Sequence, residues 1–304
     1  GGHDPHERIK EMEVDGLSAE VLYPTQCLKL YGLDDPGLQE ACFRVYNDWI
    51  IDYCQVTPKR LVGVPAISVY NVEHAVQELE RCAKAGLKGA LIWQVPPPEL
   101  PLRSSHYDRF WAAAQDLQAP ISLHTLTGRN MKESKHWENR KGIENYRRSV
   151  NIKVLEGANT LFDLIFYGVL ERYPRLKIVI VENEVGWIPF MLQQWDYYYQ
   201  RTNKVEPLPI GMEPSQYFRR QVYVTFIKDS VYNTLLKDAV RENNFDWWGI
   251  ENCMWSSDFP HQNSTWANSR RVIDKDLGFL PAAARHKLLC TNVAGLYGME
   301  IAGS

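Results

Sequence analysis

Short apolar runs alternate with longer amphipathic segments along the whole chain of 304 residues. The runs lie at 19–24, 60–68, 88–94, 120–125, 177–182, 221–226 and 252–258. Short and nearly continuous apolar runs are typical of strands buried on both faces of a parallel sheet. Strands that alternate with helices predict an α/β fold, and the seven units found here approach the eight of a (β/α)8 barrel.

One strand of the predicted barrel has no counterpart in the sequence. Before the first apolar run there is only a helical pattern, PHERIKEMEVDG at 5–16. We therefore expect a (β/α)8 TIM barrel whose first strand lies upstream of this chain or is missing from it. An open doubly wound sheet is the alternative, but no glycine-rich phosphate-binding loop follows any of the runs. Residues 1–304 are predicted to form a single domain.

A long polar connection interrupts the alternation after the run PISLHT. Residues 125–150 carry many charges of both signs. A connection of this length is unusual unless it is functional, and barrel active sites lie at the C-terminal ends of the strands. We therefore predict that 125–150 forms a lid or insertion over the active-site face.

Composition excludes several classes of protein. The net charge of −3 and the hydrophobic content of 45% do not fit a nucleic-acid-binding or membrane-surface protein. No apolar run approaches the roughly 20 residues that span a bilayer. The six cysteines are scattered without a C-x-x-C pair, which indicates reduced thiols. These features predict a cytoplasmic protein that acts on a small molecule.

Three predicted strands end on side chains that bind metals or transfer protons: His124, Glu182 and Asp258. A histidine and two carboxylates that converge on one barrel mouth suit a divalent Zn, Fe or Mn ion. Such an ion lowers the pKa of bound water toward ~7, and a nearby carboxylate then acts as general base. Each residue also has a structural interpretation, as a core histidine, a strand-end ion pair or a helix cap.

The convergence of the three strand ends favours the chemical interpretation. We predict His124, Asp258 and Glu182 as metal ligands for one or two ions per chain. Asp258 and Glu182 are also predicted catalytic residues, together with His261, which follows Asp258 closely.

Several longer stretches carry a family resemblance. They are RLVGVPAISVYNVEHAVQELERCAKAGLKGALI, GVLERYPRLKIVIVENEVGWIPFMLQQWD and WSSDFPHQNSTW, together with the histidine of PISLHT. They resemble the amidohydrolase-2 family, the metal-dependent TIM-barrel group that includes aminocarboxymuconate-semialdehyde decarboxylase. The similarity runs from about residue 6 to residue 299.

The resemblance implies that His124 and Asp258 are metal ligands and that His261 is a pocket residue. The family's first ligand pair, H-x-H or acidic-x-H on its first strand, has no counterpart here. The family's decarboxylases usually carry a histidine where this sequence has Glu182. Because of this departure we expect metal-dependent hydrolysis of an amide, ester, lactone or thioester carbonyl. The alternatives are a non-oxidative decarboxylase of an aromatic or unsaturated acid and a non-catalytic binding barrel.

The tryptophans near the predicted mouth bear on the substrate. Trp93, Trp187, Trp255 and Trp266 favour a cyclic or aromatic acid derivative, although core packing explains them equally well. Barrels of this type often pair, so we also predict a homodimer.

Overall fold

The computed structural model describes residues 1–128, 143–244 and 249–301. Its strands are β1 (Glu20–Leu22), β2 (Leu61–Gly63), β3 (Ala90–Val95), β4 (Ile121–Gly128), β5 (Ile178–Val181), β6 (Val222–Phe226) and β7 (Cys253–Trp255). Each predicted apolar run overlaps one of these strands, and every strand pair is parallel. The predicted α/β fold is confirmed.

Helices follow the strands and cover the outside of the sheet. They are α1 (Pro5–Asp15), α2 (Pro36–Gln55), α3 (Val72–Lys84), α4 (Asp108–Asp116), α5 (Ile143–Phe166), α6 (Val169–Arg172), α7 (Ile188–Thr202), α8 (Pro214–Gln221), α9 (Ser230–Glu242), α10 (Ser269–Leu277), α11 (Ala282–His286) and α12 (Asn292–Tyr297). Local sequence sets several helix starts. Asp35, for example, caps α2 by accepting a hydrogen bond from the Leu38 backbone N–H, with Pro36 in the first turn.

The strands lie in the order expected for a barrel with one position open. β1 pairs with β2, and β3 to β7 form a second sheet in chain order. A single parallel bridge between Ala66 and Leu91 links the two sheets. Within the described ranges, no strand pairs with the outer edges of β1 and β7. One cavity is lined by residues of both of these strands, among them Leu22 and Met254. The opening therefore lies between β7 and β1.

The barrel interior combines apolar packing with a small polar cluster. Val179, Val181 and Met254 form its buried apolar part. Tyr23 Oη lies 2.9 Å from Ser122 Oγ and 2.7 Å from Tyr297 Oη. Burial raises the pKa of the Tyr23 phenol well above its usual value, so the phenol stays neutral and hydrogen-bonded.

The predicted insertion at 125–150 overlaps regular structure at both ends. β4 continues to Gly128, and α5 begins at Ile143. Residues 129–142 lie outside the described residues, so the lid stays a prediction.

The described parts of the chain contain no helix that is both long and apolar enough to cross a membrane.

An ion-pair network joins α2 to α3 around Glu78. Its carboxylate accepts hydrogen bonds from Arg81 at 2.7 Å, from Arg44 at 2.8 Å and from Asn47 at 2.8 Å. Asn47 is fully buried and pairs with both backbone groups of Ala66. Burial by itself raises the pKa of Glu78. The hydrogen bonds and positive charges outweigh burial and lower the pKa below its usual value.

We expect Glu78→Gln to lower the free energy of unfolding at pH 7 by about 1 kcal/mol. A carboxyl whose pKa is lower in the folded state stabilises the fold above its unfolded pKa. That contribution is lost as the pH falls through the folded pKa, so the difference from wild type should shrink below about pH 4. Urea unfolding at neutral and acidic pH measures this. Glu80→Gln, at an exposed position of the same helix, should have no effect, and a pH-independent effect of Glu78→Gln would contradict the assignment.

Candidate metal centre and active site

The four site residues predicted from the sequence line one cavity. It has a volume of about 1120 Å³, and its lining includes His124, Glu182, Asp258 and His261. His124 lies within β4, Glu182 directly follows β5, and the other two follow β7. The C-terminal ends of three parallel strands therefore bring these side chains together, as the barrel geometry requires.

His124 faces the carboxylate of Glu182. Its Nδ1 lies 2.5 Å from the Thr125 carbonyl oxygen and therefore donates a proton to it. Its Nε2 lies 3.2 Å from Glu182 Oε2. With Nδ1 protonated, a neutral His124 presents a lone pair to a carboxylate. Either a second ring proton or a cation between the two groups satisfies this arrangement, so the donor set fits a divalent metal.

Asp258 and His261 form the second half of the site. His261 Nδ1 lies 2.7 Å from Asp258 Oδ1, so the ring donates to the carboxylate. Its Nε2 lies 3.2 Å from Thr25 Oγ1 and accepts from that hydroxyl. Thr25 therefore helps to orient a ring whose two nitrogens are both engaged.

The tightest group of candidate ligand atoms differs from the predicted metal set. Single ligand atoms of Glu182, Asp258 and His261 lie within 4.8 Å of one another. His124 is not part of this group, but its Nε2 lies 3.2 Å from Glu182 Oε2. Because His124 Nε2 faces a candidate ligand, whereas His261 Nε2 is bonded to the Thr25 hydroxyl, His124 is the better imidazole ligand, and His261 is better suited to act on Asp258.

The two central carboxylate residues both have backbone conformations in the left-handed region. φ is 60° at Glu182 and 56° at Asp258. Such angles cost non-glycine residues about 1–3 kcal/mol each and are concentrated at functional sites. The neighbouring strand supports Glu182, whose backbone N–H donates to Thr225 Oγ1 at 2.9 Å.

The loop after β5 is tied to the end of β6 by further contacts. Asp229 Oδ2 accepts from the backbone N–H groups of Val185 at 2.9 Å and Gly186 at 2.7 Å. Glu184, two residues after Glu182, accepts from the Ile227 N–H at 3.3 Å. Glu184 is not among the residues that line the cavity, so its contact is structural.

Sequence reasoning missed Thr25, Thr225 and Asp229. Thr25 and Asp229 follow strands, and Thr225 is the penultimate residue of β6, so position near a strand end is the signal that the sequence offers. A threonine or a helix-capping aspartate at such a place is too common to be singled out.

Of the four tryptophans near the predicted mouth, only Trp255 lines the cavity. Trp93 is fully buried and donates to Tyr107 Oη at 3.1 Å. Trp187 donates to the Asn183 carbonyl at 2.9 Å. Trp266 is 42% exposed. Packing, rather than substrate binding, explains Trp93 and Trp187, and Trp266 is not among the residues that line the cavity.

A parallel α/β barrel with a histidine and carboxylates at its strand ends is the arrangement in which metal-dependent barrel enzymes place their active sites. The amidohydrolase family matches residues 3–299. The chain therefore belongs to the amidohydrolase family, and the predicted family is confirmed.

Named relatives refine the comparison. The gamma-resorcylate decarboxylase of Rhizobium radiobacter is 24% identical over 305 residues, covering 96% of this chain and 86% of the relative. The structure of 2,6-dihydroxybenzoate decarboxylase complexed with 2,6-dihydroxybenzoate superposes with a TM-score of 0.78 at 20% identity, covering 96% of this chain and 87% of that chain. A dihydroxybenzoic acid decarboxylase from Polaromonas sp. JS666 gives 0.76 at 20% identity, with 97% and 86% covered. That structure holds manganese and the inhibitor 2-nitroresorcinol. These structures share the TIM-barrel fold with this chain.

The prediction of a carbonyl hydrolase is wrong. The named relatives are non-oxidative decarboxylases of aromatic acids. The error came from Glu182, which stands where decarboxylases usually carry an imidazole. In the structure an imidazole is nevertheless present in the cavity, because His261 lies beside Asp258. Glu182 therefore does not argue against decarboxylation.

Proposed function

We propose that the chain is a metal-dependent, non-oxidative decarboxylase of a hydroxylated aromatic carboxylic acid. The observation that carries the proposal is the meeting of His124, Glu182, Asp258 and His261 in one cavity, in a chain similar to gamma-resorcylate decarboxylases. The reaction replaces the carboxylate of the ring by a proton and releases CO₂.

His124, Glu182 and Asp258 would hold the metal. We propose manganese as the bound ion, because a similar structure contains it. Zinc and iron remain predicted alternatives. A bound divalent ion supplies a Lewis acid that orients and polarises substrate oxygens. Oxygen and imidazole donors suit each of these ions.

Asp258 is the proposed proton donor. Its proton passes to the ring carbon that bears the carboxylate, and ring electrons form the new C–H bond. The carbon–carbon bond then breaks, its electron pair returns to the ring, and CO₂ leaves. His261, oriented by Thr25, returns its Nδ1 proton to Asp258 while its Nε2 takes up a proton from solvent. The ring therefore ends neutral, and one solvent proton is consumed in each turnover. The step needs no oxidant and consumes no water.

The cavity wall suits an aromatic ring. Tyr23, Met254 and Trp255 line it together with the site residues. Apolar and aromatic walls exclude water from the protonated ring carbon and strengthen the charge interactions around it. The homodimer remains a prediction from the sequence.

The test is product analysis with Mn²⁺-loaded protein. We expect 2,6-dihydroxybenzoate to give resorcinol and CO₂, and in D₂O the resorcinol should carry one deuterium on the carbon that lost the carboxylate. Benzoate, which lacks the hydroxyl groups that enrich the ring in electrons, should not react. If no ortho-hydroxybenzoate in a panel releases CO₂, the proposal fails.

A further inference from the structure

We propose that Gln94 is a positioning residue that sets His124 and Glu182 in their relative geometry. The proposal rests on the proposed function only in that both residues hold the metal. Gln94 lies in β3 and is 1% exposed. It does not line the cavity, so any effect on chemistry must pass through its neighbours.

One branch of contacts runs from Gln94 to His124. The Gln94 backbone N–H donates to Thr127 Oγ1 at 2.8 Å. The Thr127 hydroxyl in turn donates to the His124 carbonyl at 2.6 Å. Thr127 is 1% exposed, so no water competes for these bonds. The carbonyl of the histidine is thus fixed from the neighbouring strand.

The second branch runs from the Gln94 side chain to the backbone around Glu182. Gln94 Nε2 donates to Asn183 Oδ1 at 3.2 Å, and Asn183 Nδ2 donates to Gln94 Oε1 at 3.4 Å. Asn183 Nδ2 also donates to the Val181 carbonyl at 2.8 Å. The paired amides therefore hold the residues on both sides of Glu182, whose φ of 60° persists only if its flanks are fixed.

Two further contacts hold the backbone carbonyls of the same two residues. Thr160 of α5 donates to the Gln94 carbonyl at 3.0 Å. Trp187 donates to the Asn183 carbonyl at 2.9 Å. Burying two amides gains little over apolar packing of the same volume. A buried amide pair that joins the strands of two candidate ligands points to a role in geometry, as partners behind metal ligands usually have.

The test compares two buried amides. Gln94→Met removes the amide at similar volume and keeps the backbone bond to Thr127. Asn252→Leu is the matched control. Asn252 is 3% exposed and donates to the Arg219 carbonyl at 3.1 Å and the Val222 carbonyl at 2.8 Å. These bonds lie at the N-terminal ends of β6 and β7, whereas the site lies at the C-terminal ends of the strands. Both variants therefore lose a buried amide, but only Gln94→Met loses it near the site.

The readouts are Mn²⁺ affinity by competition titration, the EPR spectrum of bound Mn²⁺, and kcat and KM for 2,6-dihydroxybenzoate. We expect Gln94→Met to weaken Mn²⁺ binding about 10- to 100-fold, to change the EPR spectrum and to lower kcat more than it changes KM. Asn252→Leu should lower stability and leave all of these unchanged. Thr127→Val, which breaks the branch to His124 alone, should show the same trend and replaces Gln94→Met if that variant does not fold.

Equal Mn²⁺ affinity and an unchanged EPR spectrum in Gln94→Met or Thr127→Val overturn this inference alone. Equal losses in Gln94→Met and Asn252→Leu overturn it as well, because general destabilisation would then explain them. Wild-type protein that binds no Mn²⁺ overturns the proposed function together with the inference.

Discussion

Asp258→Asn should lower kcat for decarboxylation by about a hundred- to ten-thousand-fold, the range that general acid–base catalysis contributes. Asparagine keeps the shape of the side chain but has no acid proton to give to the ring carbon. It also replaces the carboxylate that accepts the 2.7 Å hydrogen bond from His261. Steady-state kinetics with 2,6-dihydroxybenzoate, at saturating substrate and Mn²⁺, measures the change.

Asp258 is also a proposed metal ligand, so the two roles must be separated. The variant should be assayed at an Mn²⁺ concentration at which binding is saturated, with metal content measured on the same sample. His261→Gln removes the imidazole that reprotonates Asp258 but leaves all three proposed metal ligands in place. It should therefore keep its metal and still lose most of kcat.

A buried carboxylate elsewhere provides the control. Asp15 is 2% exposed and accepts from the Ser269 backbone N–H at 2.9 Å and from its hydroxyl. It does not line the cavity. Asp15→Asn should reduce stability and leave kcat unchanged. A wild-type kcat in metal-saturated Asp258→Asn would rule out Asp258 as the proton donor.

Apart from the half-buried β1 and from β6, in which buried and half-buried residues alternate, the strands could be predicted from the sequence because they are largely buried on both faces. β5, for example, is fully buried along its length, so its sequence is a continuous apolar run. Strand ends were less predictable. The run at 60–68 yields only β2 (Leu61–Gly63), and beyond Pro65 a single bridge from Ala66 to Leu91 remains. Proline has no N–H to donate to the ladder, so regular pairing stops near it.

The site residues could be predicted because parallel strands bring their C-terminal ends together. His124, Glu182 and Asp258 are far apart in sequence. Glu182 and Asp258 follow strands, and His124 lies in β4 level with Val181, the last residue of β5, so strand position was enough to group them. Thr25 could not be found in this way. It lies 236 residues from its partner His261, and no local pattern links the two. The Gln94–Asn183 pair could not be predicted either, because no local sequence pattern links two residues that are 89 positions apart.

The reaction class was the poorest prediction, and the reason is chemical. A histidine with carboxylates serves hydrolysis and decarboxylation alike, since both need a Lewis acid and a proton-transfer group. The two reactions differ in which atom receives the proton. That depends on how the substrate lies in the cavity, which the types of side chain do not determine.

Removal of divalent metal should abolish decarboxylation, and Mn²⁺ should restore it. His124→Ala should lose most of its bound metal even at neutral pH. The variant removes the imidazole whose Nε2 lies 3.2 Å from Glu182 Oε2, and a carboxylate pair alone binds Zn, Fe or Mn more weakly than a mixed nitrogen and oxygen set. Elemental mass spectrometry gives the metal content per chain, and the same samples give kcat.

His106→Ala is the matched control for this result. His106 is a partly buried histidine whose Nε2 contacts the Val69 carbonyl at 2.9 Å, and it does not line the cavity. It should keep wild-type metal content. If His124→Ala also keeps its metal, the ion is held by Glu182, Asp258 and His261 instead, the group whose ligand atoms lie within 4.8 Å. Full activity in metal-free wild-type protein would remove the metal from the mechanism, because proton transfer from Asp258 would then be sufficient by itself.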